Sequence, residues 1–314
     1  MKRTSIGGQA VMEGVMMKNM DKYAVAVRKP DQKIEVKTGE FVSFCKRYKV
    51  LSLPILRGIV TFAESLYIGM KTLTYSASFF EEEEESQPGK FELFLTKVFG
   101  EKMESVVLGL TLLASLVMAI GLFMLLPFWL SDLTKSVVHS NTVRIFIEGL
   151  IRVALFLIYV WAISKMEDIK RVFMYHGAEH KTINCLESGE ELTPENVMKH
   201  SRLHKRCGTS FLLIVMIISI FVFMFIQSDS LLVKFLMRIV LVPLVAGISY
   251  EFIRLAGRSN NKIVCALSKP GLSLQYLTTK EPDLSMLEVA IASVEGVFDW
   301  RAYQEAMRNG EIED

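Results

Sequence analysis

Residues 106–130 read VVLGLTLLASLVMAIGLFMLLPFWL, with no Asp, Glu, Lys or Arg among them. A helix needs about 20 apolar residues to cross the hydrocarbon core of a bilayer. This stretch is long enough, and it decides the class of fold. A second unbroken run, FLLIVMIISIFVFMFIQ, covers residues 211–227. Two further runs carry charge: 145–163 contains Glu148 and Arg152, and 231–253 contains Lys234 and Arg238. The composition agrees, since 51% of the 314 residues are hydrophobic although 22% are charged. The expected fold is a mainly α-helical polytopic membrane protein with four transmembrane helices in two hairpins, 106–163 and 211–254.

Loop charge sets the orientation. The segment from Lys165 to Ser210 carries eight Lys or Arg, Ser131 to Val143 carries only Lys135, and Gln227 to Ser230 carries none. Basic loops stay in the cytoplasm. Both chain ends and the 164–210 segment are therefore expected on the cytoplasmic face of a bacterial cell membrane. Gly7, Gly8 and Glu13 interrupt any apolar core behind Lys2-Arg3, so no cleavable signal is expected. Cys45, Cys185, Cys207 and Cys265 all fall on the cytoplasmic side, where thiols stay reduced. A net charge of +2 gives no reason to expect a nucleic-acid partner. The lipid bilayer is the expected one, with another membrane protein or a second copy of the chain as further candidates.

Outside the spans, residues 1–50 form an expected cytoplasmic region. Within it, KYAVAVRKPDQKIEVKT (22–38) alternates around a Pro-Asp turn as a β-hairpin does. The glycines of the preceding GGQAVMEGVMM are spaced for tight turns, and no phosphate-loop pattern is present. In 51–80, Arg57, Glu64 and Lys71 recur every seven residues on an otherwise apolar helix. Such a polar stripe fits an interfacial or partner-packed helix. Glu81 to Glu85 opens an acidic linker and lead-in, 81–105. The tail, 255–314, returns to globular character. Leu287, Ala290, Ile291, Val294 and Val297 mark an amphipathic helix behind Pro282-Asp283.

The chemistry concentrates in 164–210. His176, His180, His200 and His204 lie within 29 residues, together with Cys185 and Cys207. His176, Glu179 and His180 form H-x-x-E-H, the order of inverted zinc peptidases. No third-ligand helix stands at the distance those enzymes need. A helix over 166–187 places His176 and His180 on one face, and Gly177 opposes it by only about 1 kcal/mol. Thr193-Pro194 then starts a second helix, expected to reach Arg206, whose one face carries Val197, His200, His204 and Cys207. An antiparallel hairpin centred near Glu190 sets His180 level with His200 and His176 level with His204. Facing helices build metal sites in this way.

The two arms of that hairpin differ in length by roughly 9 Å, so either the helices tilt, Gly208 breaks the second arm, or the register shifts. Imidazoles and a thiolate converging suit Zn2+, or Fe2+ if carboxylates join. Glu179 would then act as general base, or else orient a ligand or pair with a cation. Lys181, Lys199, Arg202, Lys205 and Arg206 equally suit lipid head groups or a partner.

GGQAVMEGVMM (7–17), LPILRGIVTFAESLYIGMKTL (53–73), YHGAEHKTINCLE (175–187), HKRCGTSF (204–211) and QYLTTKEPDLSMLEVAIA (275–292) together resemble the YqhQ-like family of bacterial membrane proteins. The resemblance implies a metal-dependent protein without an assigned substrate. It carries over His176, Glu179 and His180 from one block and His204, Cys207 and Gly208 from another, leaves His200 outside both, and adds Glu13 as a candidate ligand or base. The expected metal ligands are thus His176, His180, His204 and Cys207, with Glu179 catalytic. The expected function is a membrane-surface metal-dependent hydrolase. The alternative is a non-catalytic scaffold or assembly factor for other membrane proteins. Transport rests only on the charges inside the spans.

Overall fold

A computed structural model describes residues 4–80, 103–226, 228, 230–259 and 261–309. Residues 81–102, most of the expected acidic linker, lie outside the described residues. The chain divides into two compact units, Met1–Phe80 with Tyr159–Asp314, and Glu81–Ile158.

The larger unit begins with an antiparallel meander of β1 (Ile6–Val11), β2 (Gly14–Asn19), β3 (Lys22–Arg28) and β4 (Ile34–Glu40), in that order across the sheet. The β3–β4 hairpin is the expected one, in register from Lys22 opposite Glu40 to Arg28 opposite Ile34. The glycine block, by contrast, forms two further strands rather than a run of turns. A two-residue loop, Met12-Glu13, joins β1 to β2 with Val11 paired to Gly14, and Glu13 there takes a positive φ of 48°. The two central strands, β2 and β3, are covered on both faces. Val15, Met17, Ala24 and Ala26 enter one core, and Val11, Met16, Tyr23, Val25 and Val27 enter another with Ile68.

After the short helix α1 (Phe44–Arg47), α2 (Leu56–Ala77) is the amphipathic helix expected in 51–80. Its polar stripe has protein partners. Arg57 Nε donates to Glu251 Oε1 at 2.6 Å. Buried Glu64 accepts from Phe44 N at 2.7 Å and Ser43 Oγ at 3.1 Å. Lys71 lies over the Tyr23 ring, 5.8 Å from its centre.

The smaller unit holds α3 (Met103–Ile120), a wider turn over Gly121–Leu125, α4 (Leu126–Asp132) and most of α5 (Asn141–Ile163). Here Glu148 and Arg152, one helical turn apart, form a buried pair at 2.6 Å. Arg152 Nε also donates to Phe123 O at 3.0 Å.

The remaining helices are α6 (Glu167–Ser188), α7 (Pro194–Lys199), α8 (Gly208–Phe223), α9 (Leu231–Arg258), α10 (Lys262–Thr278), α11 (Leu284–Glu295) and α12 (Trp300–Arg308). Among the described residues, three stretches are long and apolar enough to cross a membrane: Gly109–Ser136, Asn141–Ile163 and Leu232–Gly257. The fourth expected span is shorter. α8 has 16 residues, a rise of about 24 Å against a core of about 30 Å. In the tail, the apolar stripe of α11 is buried at Leu287, Ala290, Ile291 and Val294, in the same core as β2, β3 and α6.

The second arm of the expected hairpin departs from the sequence reading. α7 ends at Lys199, His200 is its extended C-cap, and residues 200–207 are not helical. The carbonyls there are held by side chains of α6. Lys181 Nζ donates to Met198 O at 2.9 Å and His200 O at 2.8 Å, and Asn184 Nδ2 to Ser201 O at 2.7 Å and Leu203 O at 3.1 Å. These donors replace the backbone N–H partners that a helix would have supplied.

Candidate metal centre

α6 is buried without a break from Tyr175 to Glu187, although that stretch includes His176, Glu179, His180, Lys181, Asn184 and Glu187. Buried polar groups persist when they are hydrogen-bonded. The few that are not identify the site.

His176 and His180 lie one helical turn apart, edge to face, with ring centres 4.4 Å apart. Each has its Nδ1 against a backbone carbonyl: His176 on Thr278 O at 2.8 Å, His180 on Arg202 O at 2.6 Å. A carbonyl only accepts, so each Nδ1 carries the proton and each Nε2 presents a lone pair, the arrangement of metal-ligating imidazoles. His176 Nε2 meets Cys207 Sγ at 3.2 Å, whereas His180 Nε2 is buried with no hydrogen-bond partner. Burial is the largest influence on His180 and pushes its pKa down, which outweighs the opposing Cys207 thiol.

Cys207 is the N-cap of α8. Thr209 N donates to its Sγ at 3.3 Å and the Thr209 hydroxyl lies at 3.0 Å. Helix N-termini favour negative charge. One ligand atom each from His176, His180 and Cys207 fall within 4.8 Å of one another. A divalent ion joining these three would keep a fourth position open.

Glu179 sits on the same turn of α6, covered by β1. Burial raises its carboxyl to about 7, although the nearby His176 and a hydrogen bond from Gly8 N act the other way. Its Oε2 has no hydrogen-bond partner. Gly8 is required at this contact: a Cβ there would come within 2.8 Å of Glu179 Cγ, the Met16 carbonyl and Met17 Sδ.

The other expected residues make different contacts. His204 is adjacent, its ring 5.7 Å from His180, but its Nε2 faces Glu187 Oε2 at 4.0 Å. Glu187 also accepts from Thr4 N at 2.7 Å and pairs with Arg206. Burial alone would raise the Glu187 carboxyl, yet His204, Arg206 and Thr4 together hold it below the usual range. Glu13 is bound by Arg171 at 2.5 Å and by the Tyr175 hydroxyl at 3.3 Å. His200 turns away to Glu190 at 3.4 Å. The expected rungs are therefore not formed. Residues 200–207 bend and turn instead of continuing the helix, and it is Cys207, not His204, that meets His176 Nε2.

Spacing on two helices does not reveal the supporting residues. Gln275 holds the 204 backbone from both sides, its Oε1 accepting from His204 N and its Nε2 donating to His204 O, each at 2.8 Å. Arg202 donates to Thr279 O, and Lys280 N donates to Phe173 O at 2.8 Å. The stretch QYLTTKE (275–281), which figured only in the family resemblance, thus holds the site from outside.

Long apolar helices joined to a mixed sheet-and-helix unit that holds a buried His/His/Cys cluster define the class: a predominantly helical membrane protein. The chain belongs to the family described as protein of unknown function DUF1385, whose model matches residues 53–300. It is similar to the uncharacterized protein YqhQ of Bacillus subtilis (strain 168), 36% identical over 302 residues that cover 91% of this chain and 90% of that one. No solved structure matches the chain. Neither description carries a metal, a substrate or a reaction.

Proposed function

We propose that the protein is a metal-dependent hydrolase working at the cytoplasmic surface of the membrane, with a divalent ion held by His176, His180 and Cys207 and with Glu179 as general base. The observation that carries this reading is the pair of imidazoles, each with Nδ1 on a carbonyl, turned toward one thiol while His180 Nε2 has no hydrogen-bond partner. Zn2+ suits this donor set, and Fe2+ is the alternative if a carboxylate joins. Such an ion supplies Lewis acidity to a water or carbonyl in the fourth position. Glu179, with a pKa near 7, is poised to take a proton from water at neutral pH and return it to a leaving group. His204 and Gln275 position the 200–207 segment that presents Cys207. Four crossings, with both termini and the site on the cytoplasmic side, complete the reading.

The test is elemental analysis of the purified full-length protein. One divalent ion per chain at this site is expected, lost in the His176→Ala/His180→Ala variant and retained in Glu179→Gln. Full retention of metal in the double variant would sink the site. Loss of metal in Glu179→Gln would make that residue a ligand instead of a base.

A further inference from the structure

His200 leaves the site just described and enters another. Gly189, in the left-handed region at φ 81°, ends α6 and turns the chain toward α7. The turn brings together Cys185 from the last coil of α6, Glu190 from the turn itself and His200 from the C-cap of α7. One ligand atom each from Cys185, Glu190 and His200 lie within 4.8 Å of one another. From the usual bond lengths, the edges of a tetrahedral zinc site are about 3.4–3.7 Å. Small rotations about side-chain bonds close the difference.

We propose that Cys185, Glu190 and His200 form a second divalent-metal site, independent of His176 and Cys207, in which Zn2+ staples the tip of the α6–α7 hairpin.

Three observations support it. His200 Nε2 is buried and makes no hydrogen bond; Glu190 Oε2 lies 3.4 Å away but out of line for one. A buried nitrogen normally has a partner, and an ion between the two side chains provides one for both. The Cys185 thiol has only long contacts, 3.7 Å to Glu191 O and 3.9 Å to Glu190 O. The backbone of the turn is also held from outside: Gln304 of α12 donates to Glu190 O, and Met307 covers Gly189. Lys199 is turned to Asn196 Oδ1 at 3.0 Å.

The ion would hold the start of the 200–207 segment. Its role is to fix that segment for the first site.

The experiment uses full-length protein in detergent, stripped with chelator and reloaded with Co2+. It is read by elemental analysis and by thiolate-to-cobalt charge-transfer absorption. Wild type is expected to take up two ions per chain. His200→Ala should take up one and lose the Cys185 part of the absorption, and His176→Ala/Cys207→Ser should keep one that His200→Ala then removes. Glu190→Gln, at an exposed side chain whose loss cannot unfold the chain, should weaken the second ion roughly 10-fold or more. If His200→Ala and Glu190→Gln both bind cobalt as wild type does, the second site is overturned. A single ion lost only with His176 and Cys207 overturns this inference and leaves the first reading standing. A single ion lost only with His200 does the reverse.

Discussion

At the candidate metal centre, Glu179 is held far from its ordinary protonation state. Burial lifts its carboxyl to about 7. The folded chain therefore holds a proton that the unfolded chain releases at the usual carboxylate pKa. Stability from this group is full below that value and is lost as pH rises through about 7, on the order of 3 kcal/mol across the window. Thermal unfolding of metal-free protein should show this decline between about pH 4.5 and 7, and Glu179→Gln should flatten it. Gly177 makes the opposite point about propensity. On helix propensity alone, Gly177→Ala should stabilise α6 by about 1 kcal/mol. A Cβ there would instead run into the Lys280 carbonyl, where the 278–282 segment crosses the helix. Gly177→Ala is expected to destabilise by about 1–3 kcal/mol in denaturant titration and to weaken metal retention, since that segment carries the Thr278 carbonyl bound to His176.

Among the elements, α11 supports the site without touching it. Leu287 is fully buried in the core shared by α6 and the sheet. Leu287→Ala should cost about 2–5 kcal/mol, with the cavity term deciding where in that range it falls. The cost should appear in a shifted unfolding midpoint and an unchanged metal stoichiometry. α2 shows how a sequence pattern can be read for character but not for partner. The heptad stripe of Arg57, Glu64 and Lys71 marks a helix with polar duties. Glu251, Ser43, Phe44 and Tyr23 lie far from it in sequence, so only the tertiary structure names them. The same limit applies to α7. Thr193 and Pro194 announced its start, and Thr193 does cap it through Asn196 N. Its end at Lys199 depends on Lys181 and Asn184 of another helix, which no local signal contains.

For the whole molecule, the open question is how many helices cross. Three are long enough and α8 is short. If α8 does cross, residues on either side of it lie on opposite sides of the membrane. Ser140→Cys and Ser228→Cys should then both react with an impermeant maleimide on intact cells, while Glu195→Cys should react only after permeabilisation. Labelling of Ser140→Cys but not Ser228→Cys would show that α8 stays on one side. Because α11 shares one core with the sheet and α6, α8 and α9 cross together or not at all, so this outcome separates two crossings from four.

By itself, the sequence determined what depends on neighbours along the chain. The uncharged run at 106–130, the β3–β4 hairpin around Pro30-Asp31, the Glu148–Arg152 pair and the apolar stripe of α11 are local patterns, and the structure contains each of them. His176 and His180 share a face because helical geometry places i and i+4 together. The tertiary structure decided the rest. The β1–β2 pair was hidden because β2, covered on both faces, shows no polar alternation, and β1 carries two consecutive glycines. Cys207 rather than His204 reached His176 because side chains of α6 took up the carbonyls of residues 198–203. Their donors sit 17 to 19 residues away in the chain, and that separation is why the second wall of the site could not be read from spacing alone.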